Sequence, residues 1–226
     1  MTESNFSALE EFAIAVRSDD IDLGQTAFLI SMAEYPHLDI KEELRALDSL
    51  AAAASRRFNS DKDPLYQANA LSEYLFDEVG FVGNSQEYYD PRNCFLNEVI
   101  SRRRGIPITL SLIYMEVGKR LGIIFEGVGM PGHFLVRSKI SQESLLIDPF
   151  YGGILLTEEE CAQRLRKIAG ASVSWDKGYL DPVTDHELIS RILRNLIAIY
   201  QMRQDRPRAV KFSKWLLTLE SQTPLG

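Results

Sequence analysis

The residues best suited to chemistry in this chain are a histidine and an aspartate that each follow or end a short apolar run. His133 comes directly after Pro131 and Gly132, and Asp148 ends the segment Leu145-Leu146-Ile147-Asp148. A neutral imidazole can act as a general base near pH 7. A carboxylate in apolar surroundings requires a partner, and a carboxylate beside an imidazole fixes its tautomer. We therefore predict that the two side chains meet as a catalytic pair. The alternative is a half-buried histidine without a chemical role.

Cys94 is the first candidate for the nucleophile that such a pair would activate. Asn93 can cap a helix that runs from about residue 94 to residue 104. In the first turn of a helix, the dipole would lower the pKa of the thiol. The alternative interpretation, which we favour, is a small buried cysteine that packs beneath the next helix. Cys161, on an amphipathic helix, is interpreted as a packing residue as well.

Helices are predicted through most of the first 80 positions, because apolar residues recur there at helical spacing. Asp39 is predicted to cap one long helix. The most apolar helix is predicted over residues 108–121, after the break at Gly105-Ile106-Pro107. Because it is apolar on nearly every face, we expect it to be the central buried helix.

The hydrophobic period changes to two after Gly122, which predicts strands near residues 123–128, 133–137, 145–148 and 154–156. His133 is predicted within the second strand, and residues 138–144 are predicted as a hairpin connection. Thr157 to Glu160 has the pattern of a capping box that opens a further helix. The sequence therefore predicts an α+β fold with a small antiparallel sheet packed on the central helix.

The last part of the chain is predicted as two helices, over residues 188–203 and 208–219, and resembles a tetratricopeptide unit. One such pair cannot bury its own apolar face, so it must pack on the rest of the chain or on further repeats. We predict three regions: a helical N-terminal region (1–82), the site-bearing core (83–180) and the C-terminal helix pair (181–226).

The formal net charge of −7 speaks against a nucleic-acid partner, since such binding requires clustered Lys and Arg. With two cysteines and no basic-then-apolar leader pattern, we expect a cytoplasmic protein. There is no long apolar run, so no membrane association is expected. The three histidines lie far apart and no phosphate-binding glycine loop occurs, which predicts neither a metal nor a cofactor. The sequence does not specify an oligomeric state.

Three segments together resemble the core of the transglutaminase-like superfamily: Arg120-Leu121-Gly122-Ile123, Pro131-Gly132-His133-Phe134 and Ile147-Asp148-Pro149. Residues 93–150 look more closely like the bacterial SirB-type family, whose members often carry a helical N-terminal region and a tetratricopeptide C-terminal part. In active transglutaminases a cysteine begins the helix before the first strand, which here falls near residues 107–111. The hydroxyls there belong to Thr109 and Ser111, and either would need stronger activation than a thiol.

Four further residues are candidates for binding near the pair. Asn93 and Asn97 share one face of the predicted helix, and Tyr89 and Phe134 could line a groove, although packing explains the two aromatics equally well. We hypothesise a protein with a degenerate Cys-His-Asp-type site that binds a peptide or protein partner. The alternative is an active amide hydrolase or acyl transferase that uses His133 as base and Asp148 as its orienting carboxylate.

Overall fold

The computed structural model describes residues 7–58, 63–140, 143–170 and 173–221. Nine α-helices occur in these residues. They are α1 (Ala8–Ala15), α2 (Leu23–Met32), α3 (Ile40–Ala54), α4 (Pro64–Ser72), α5 (Leu96–Arg102), α6 (Pro107–Arg120), α7 (Glu158–Ala169), α8 (Asp185–Met202) and α9 (Arg206–Glu220). A π-helical turn, Glu73–Glu78, continues α4. No helix in the described residues is both long enough and apolar enough to cross a membrane.

Local side-chain hydrogen bonds start α3 and α7 where the sequence predicts. Asp39 accepts hydrogen bonds from the backbone N–H groups of Lys41 and Glu42 at the start of α3. Thr157 and Glu160 form the predicted capping box of α7. Such bonds satisfy backbone donors that have no partner within the first turn of a helix.

Six short strands in the described part of the chain form two sheets. Strands β1 (Val82–Gly83) and β2 (Arg104–Gly105) make a parallel pair. Strands β3 (Glu126–Val128), β4 (Leu135–Ile140), β5 (Glu143–Asp148) and β6 (Ile154–Leu156) make an antiparallel sheet in chain order. The connection between β4 and β5 is shorter than the predicted hairpin, because Ile140 pairs with Glu143. Residues 141–142 of that hairpin lie outside the described residues.

The four-stranded sheet packs on α6, as the sequence predicts. Phe134, Val136 and Ile147 lie in the same apolar cluster as the large apolar side chains of α6. The opposite face of the sheet, with Leu135 and Leu146, packs in a second cluster with Cys161 of α7. The sheet is therefore buried on both faces, which holds the ends of β4 and β5 in fixed positions. The predicted α+β class is confirmed.

The C-terminal helices α8 and α9 pack on the rest of the chain. Their buried residues belong to the main apolar cluster, and the ring of Trp215 lies 4.9 Å from that of Phe12 in α1. The ring centroid of Phe212 lies 5.9 Å from that of Phe95, the residue just before α5. The helix pair thus buries its apolar face within this chain, while the predicted three-region division stays a prediction.

Candidate active site

His133 and Asp148 meet at one end of the four-stranded sheet. His133 Nε2 lies 2.7 Å from Asp148 Oδ2, and the two side chains are 4% and 0% exposed. The predicted contact is therefore present. The predicted place of His133 within a strand is wrong, because the residue lies in a turn before β4. Its N–H donates to the carbonyl of Met130 at 3.0 Å, and Gly132 with a φ of +72° reverses the chain.

Asp148 has more partners than the imidazole alone. Its Oδ1 accepts from the backbone N–H groups of Phe150 and Tyr151 at 3.1 and 3.4 Å, which caps the 3₁₀ turn that follows β5. Arg164 of α7 forms an ion pair with Oδ2, and its guanidinium lies 4.4 Å over the ring of Tyr151. The carboxylate is thus shared between an imidazole, a guanidinium and a turn.

The imidazole of His133 is held neutral. Burial, followed by the positive charges of Arg164 and Arg191, lowers its pKa to about 3. A carboxylate can only accept, so Nε2 carries the proton of the neutral ring and Nδ1 is left as an acceptor. In this state His133 has the protonation that a general base requires.

Cys94 does not occupy the position predicted for it. The helix after it begins at Leu96 with Phe95 as its N-cap, and Cys94 instead ends a 3₁₀ turn, Pro91–Asn93. The predicted helix is present but begins two residues later than expected, and the predicted cap by Asn93 is wrong. Cys94 is buried in the main core, and this burial, with the charge of Asp90, raises the pKa of its thiol. Its thiol is therefore protonated at neutral pH.

The two candidate hydroxyls are buried on the first turns of α6. Thr109 donates to the carbonyl of Asn93 at 2.8 Å and accepts from the N–H of Ile106 at 3.2 Å, so its hydroxyl caps the helix. The hydroxyl of Ser111 is fully buried and makes no hydrogen bond within the described part of the chain. Neither hydroxyl is hydrogen-bonded to His133.

Of the four predicted binding residues, Asn93 has a role that the sequence does not reveal. It is fully buried, and its amide donates to the carbonyls of Glu87 and Tyr88 at 2.7 and 3.2 Å. Its side-chain oxygen accepts from Asn84 at 3.0 Å. Asn93 therefore shapes the loop that carries Tyr88 and Tyr89. The sequence pattern does not show this role, because it depends on hydrogen bonds between Asn93 and residues five to nine positions earlier in the loop.

The other three predicted binding residues lie in different surroundings. Asn97 has a buried side-chain oxygen without a hydrogen bond in the described residues. Tyr89 is 55% exposed and packs edge-on against Tyr88. Phe134 is buried beneath the guanidinium of Arg191, 5.5 Å from its ring centroid. Of these three, Phe134 alone lines the cavity beside His133.

The cavity beside His133 has a volume of about 90 Å³. Its lining comprises Tyr88, Pro107, Ile108, Gly132, His133, Phe134, Arg191 and Asn195. Arg191 donates to the carbonyls of Met130 and His133 at 2.7 and 2.8 Å, which fixes the turn that carries the imidazole. Sequence reasoning missed both Arg191 and Arg164, since each occupies an ordinary polar position on an amphipathic helix. Among the described residues, no group of three or more His, Cys, Asp or Glu could hold a metal ion.

An imidazole and a carboxylate brought together at the end of an antiparallel sheet on a central helix define a papain-like or transglutaminase-like class of site. The family described as the transglutaminase-like superfamily matches residues 41–194. The chain belongs to this superfamily.

Three proteins with similar sequences differ in how much of this chain they match. A UPF0162 protein of Xylella fastidiosa (strain 9a5c) is 38% identical over 99% of this chain and 81% of its own length. A UPF0162 protein of Pseudomonas aeruginosa is 28% identical over 87% of this chain and 72% of its own. F-box only protein 21 of Mus musculus is 31% identical over 58% of this chain and 21% of its own. No solved structure matches the chain.

Proposed function

We propose that this protein is a transglutaminase-like module that binds a peptide or protein partner without turnover. The observation that carries the proposal is that His133 has a carboxylate partner but no nucleophile. Within the described residues, the hydrogen bond of its ring goes to Asp148, and no candidate hydroxyl or thiol is bonded to it. A nucleophile and its base need to come within hydrogen-bond reach for covalent catalysis.

The surroundings of the candidate nucleophiles support this proposal. Cys94 is buried with a raised pKa, so its thiolate fraction is small at neutral pH. The hydroxyl of Thr109 is committed to the start of α6. The cavity of about 90 Å³ is also smaller than the several hundred Å³ that small-molecule sites commonly have. It accommodates one small group of a partner, and the rest of the partner would lie on the surface.

The extent of the similarity supports a modular role as well. In F-box only protein 21 of Mus musculus, the matching segment is 21% of a much longer chain. A segment that recurs within a longer protein is typical of a module. We further propose that the chain is of the SirB type with a tetratricopeptide-like C-terminal pair, and that it works in the cytoplasm without nucleic-acid or membrane contacts.

The second candidate function is an amide hydrolase or acyl transferase. One observation favours it: His133 directs Nε2 to Asp148, which leaves Nδ1 as an acceptor for the proton of a nucleophile. In this case His133 would be the base, Asp148 its orienting carboxylate, and Cys94, Ser111 or Thr109 the nucleophile. A rearrangement would have to bring one of the three to the imidazole.

Alkylation by iodoacetamide at mildly acidic pH distinguishes the binding module from an enzyme that uses Cys94 as its nucleophile. We expect Cys94 to react in the native protein as slowly as Cys161, whose pKa burial raises to about 11, and both to react quickly after unfolding in urea. Mass spectrometry of the digested protein measures the two rates separately. Fast modification of Cys94 in the native protein, slowed by the substitution His133→Ala, would support the enzyme instead.

A further inference from the structure

The charges around His133 do not balance. Two guanidinium groups, those of Arg164 and Arg191, act on the imidazole, and Asp148 is paired with one of them. Arg191 makes no ion pair with a carboxylate of the described residues, and its hydrogen bonds go to two backbone carbonyls. Burial lowers the pKa of Arg191, which reflects the free energy needed to keep this charge away from water. The site therefore carries one positive charge more than its acidic groups compensate.

The uncompensated guanidinium faces a cavity with other unused polar groups. Arg191 lines the cavity together with Tyr88 and Asn195. Within the described residues, no side-chain hydrogen bond is formed by the hydroxyl of Tyr88 or by the amide of Asn195. His133 lines the same cavity, and its Nδ1 is not engaged by Asp148, which contacts Nε2. Hydrogen-bond donors are thus assembled around a small space without an acceptor of negative charge.

We infer that this cavity binds a carboxylate group of the partner, held by Arg191 with Tyr88 and Asn195. The inference rests on the proposed binding function and names the group that the site recognises. A carboxylate fits a space of about 90 Å³ and would compensate the charge of Arg191. The carboxylate belongs either to the C-terminus of a peptide or to an Asp or Glu side chain, and the two sources present the same group.

Binding of a carboxylate should be coupled to protonation of His133. The acceptor nitrogen of the neutral ring repels a carboxylate, whereas a protonated ring would donate to it. The charged groups that face this ring are Asp148, Arg164 of α7 and Arg191 of α8, with the hydroxyl of Tyr88 nearby. A second carboxylate favours the charged ring, so the pKa of His133 rises when the site is filled. Affinity should accordingly increase as the pH is lowered from about 7 towards 5.

Nuclear magnetic resonance of the imidazole of His133 in the full chain tests this inference with small probes. N-acetylglycine represents the C-terminus of a peptide. N-acetylglutamic acid with its α-carboxyl group blocked as an amide represents an acidic side chain, and N-acetylglycinamide is the neutral control. We expect saturable shifts of the His133 signals and a raised pKa with either or both acids, and no saturable shift with the amide. The acid that binds more tightly identifies the source of the carboxylate. Inorganic phosphate is included as a further anion.

Two substitutions on α8 provide a matched pair. Arg191→Gln removes the charge that lines the cavity and should weaken acid binding by about tenfold or more. Arg194 lies three residues after Arg191, is exposed and pairs with Glu220. Arg194→Gln removes this second arginine and should leave the affinity unchanged. If Arg191→Gln does not fold, Tyr88→Phe and Asn195→Ala replace it, each with a smaller expected loss.

Three results would overturn the inference: no saturable shift with either acid, equal binding of acid and amide, or phosphate binding tighter than both acids. These results are separate from those of the alkylation experiment. Slow alkylation of Cys94 without carboxylate binding leaves the proposed binding function in place and removes only its recognition group. Fast alkylation overturns the proposed function whether or not the acids bind.

Discussion

Replacement of Asp148 is expected to be among the most damaging single changes in this protein. Its carboxylate is fully buried and is the partner of His133, of Arg164 and of two backbone N–H groups. Asp148→Ala removes all of these contacts together. The guanidinium of Arg164, which is 19% exposed, then has no partner for its charge at this position.

The expected loss follows from these contacts. Breaking a buried ion pair by removing one partner costs about 3–5 kcal/mol, since the other charge is left uncompensated. The lost cap of the 3₁₀ turn contributes about 1 kcal/mol, but contacts that share a residue do not add fully. We therefore expect Asp148→Ala to lower the free energy of unfolding by about 3–5 kcal/mol, out of the roughly 5–15 kcal/mol typical of a folded domain. Asp148→Asn keeps an acceptor for the turn and should cost less, about 1.5–3 kcal/mol.

Urea unfolding followed by circular dichroism measures these differences as shifts of the midpoint at constant slope. Asp39→Ala is the matched control, because Asp39 caps α3 in an exposed position without a buried charge partner. It should cost about 1 kcal/mol. If Asp148→Ala proved no more damaging than Asp39→Ala, the buried pair at the end of β5 would not be the coupled unit described above.

Two further predictions concern the turn that carries the imidazole. The pKa of His133 is about 3 in the folded protein against 6.5 for an unperturbed histidine, so the unfolded chain binds the extra proton between these values. The free energy of unfolding should therefore fall as the pH is lowered from about 6.5, by as much as about 2 kcal/mol at pH 5. Urea midpoints at the two pH values measure this loss, which should disappear in His133→Gln. An equal loss in the variant would contradict the prediction. Gly132→Ala places a Cβ 2.5 Å from Cγ2 of Ile168 at a φ of +72°, which should cost about 1–3 kcal/mol. Thermal unfolding should show partial recovery when Ile168→Ala is added, whereas a neutral Gly132→Ala would refute the close packing of α7 on this turn.

Local patterns in the sequence predict much of this fold, because they report on contacts between residues a few positions apart. The capping box of Thr157 and Glu160 is one such contact, and so is the cap that Asp39 provides. The apolar character of residues 108–121 predicts the buried central helix, since a helix that is apolar on nearly every face has to be enclosed. The pairing of His133 with Asp148 is predictable as well, because a carboxylate in apolar surroundings requires a partner and His133 comes just before β4, the strand that neighbours β5.

The tertiary structure alone decides which groups complete the site. Arg191 reaches the carbonyl of His133 across 58 positions of sequence, and Arg164 reaches Asp148 from a helix on the opposite face of the sheet. Cys94 has the chemistry of a nucleophile, but packing buries it and raises its pKa. Periodicity and capping patterns record neither distance in space nor burial, and the charge of a buried group depends on both. The sequence therefore predicts the histidine and its carboxylate, while the long-range packing of α7 and α8 decides the electrostatic surroundings in which they lie.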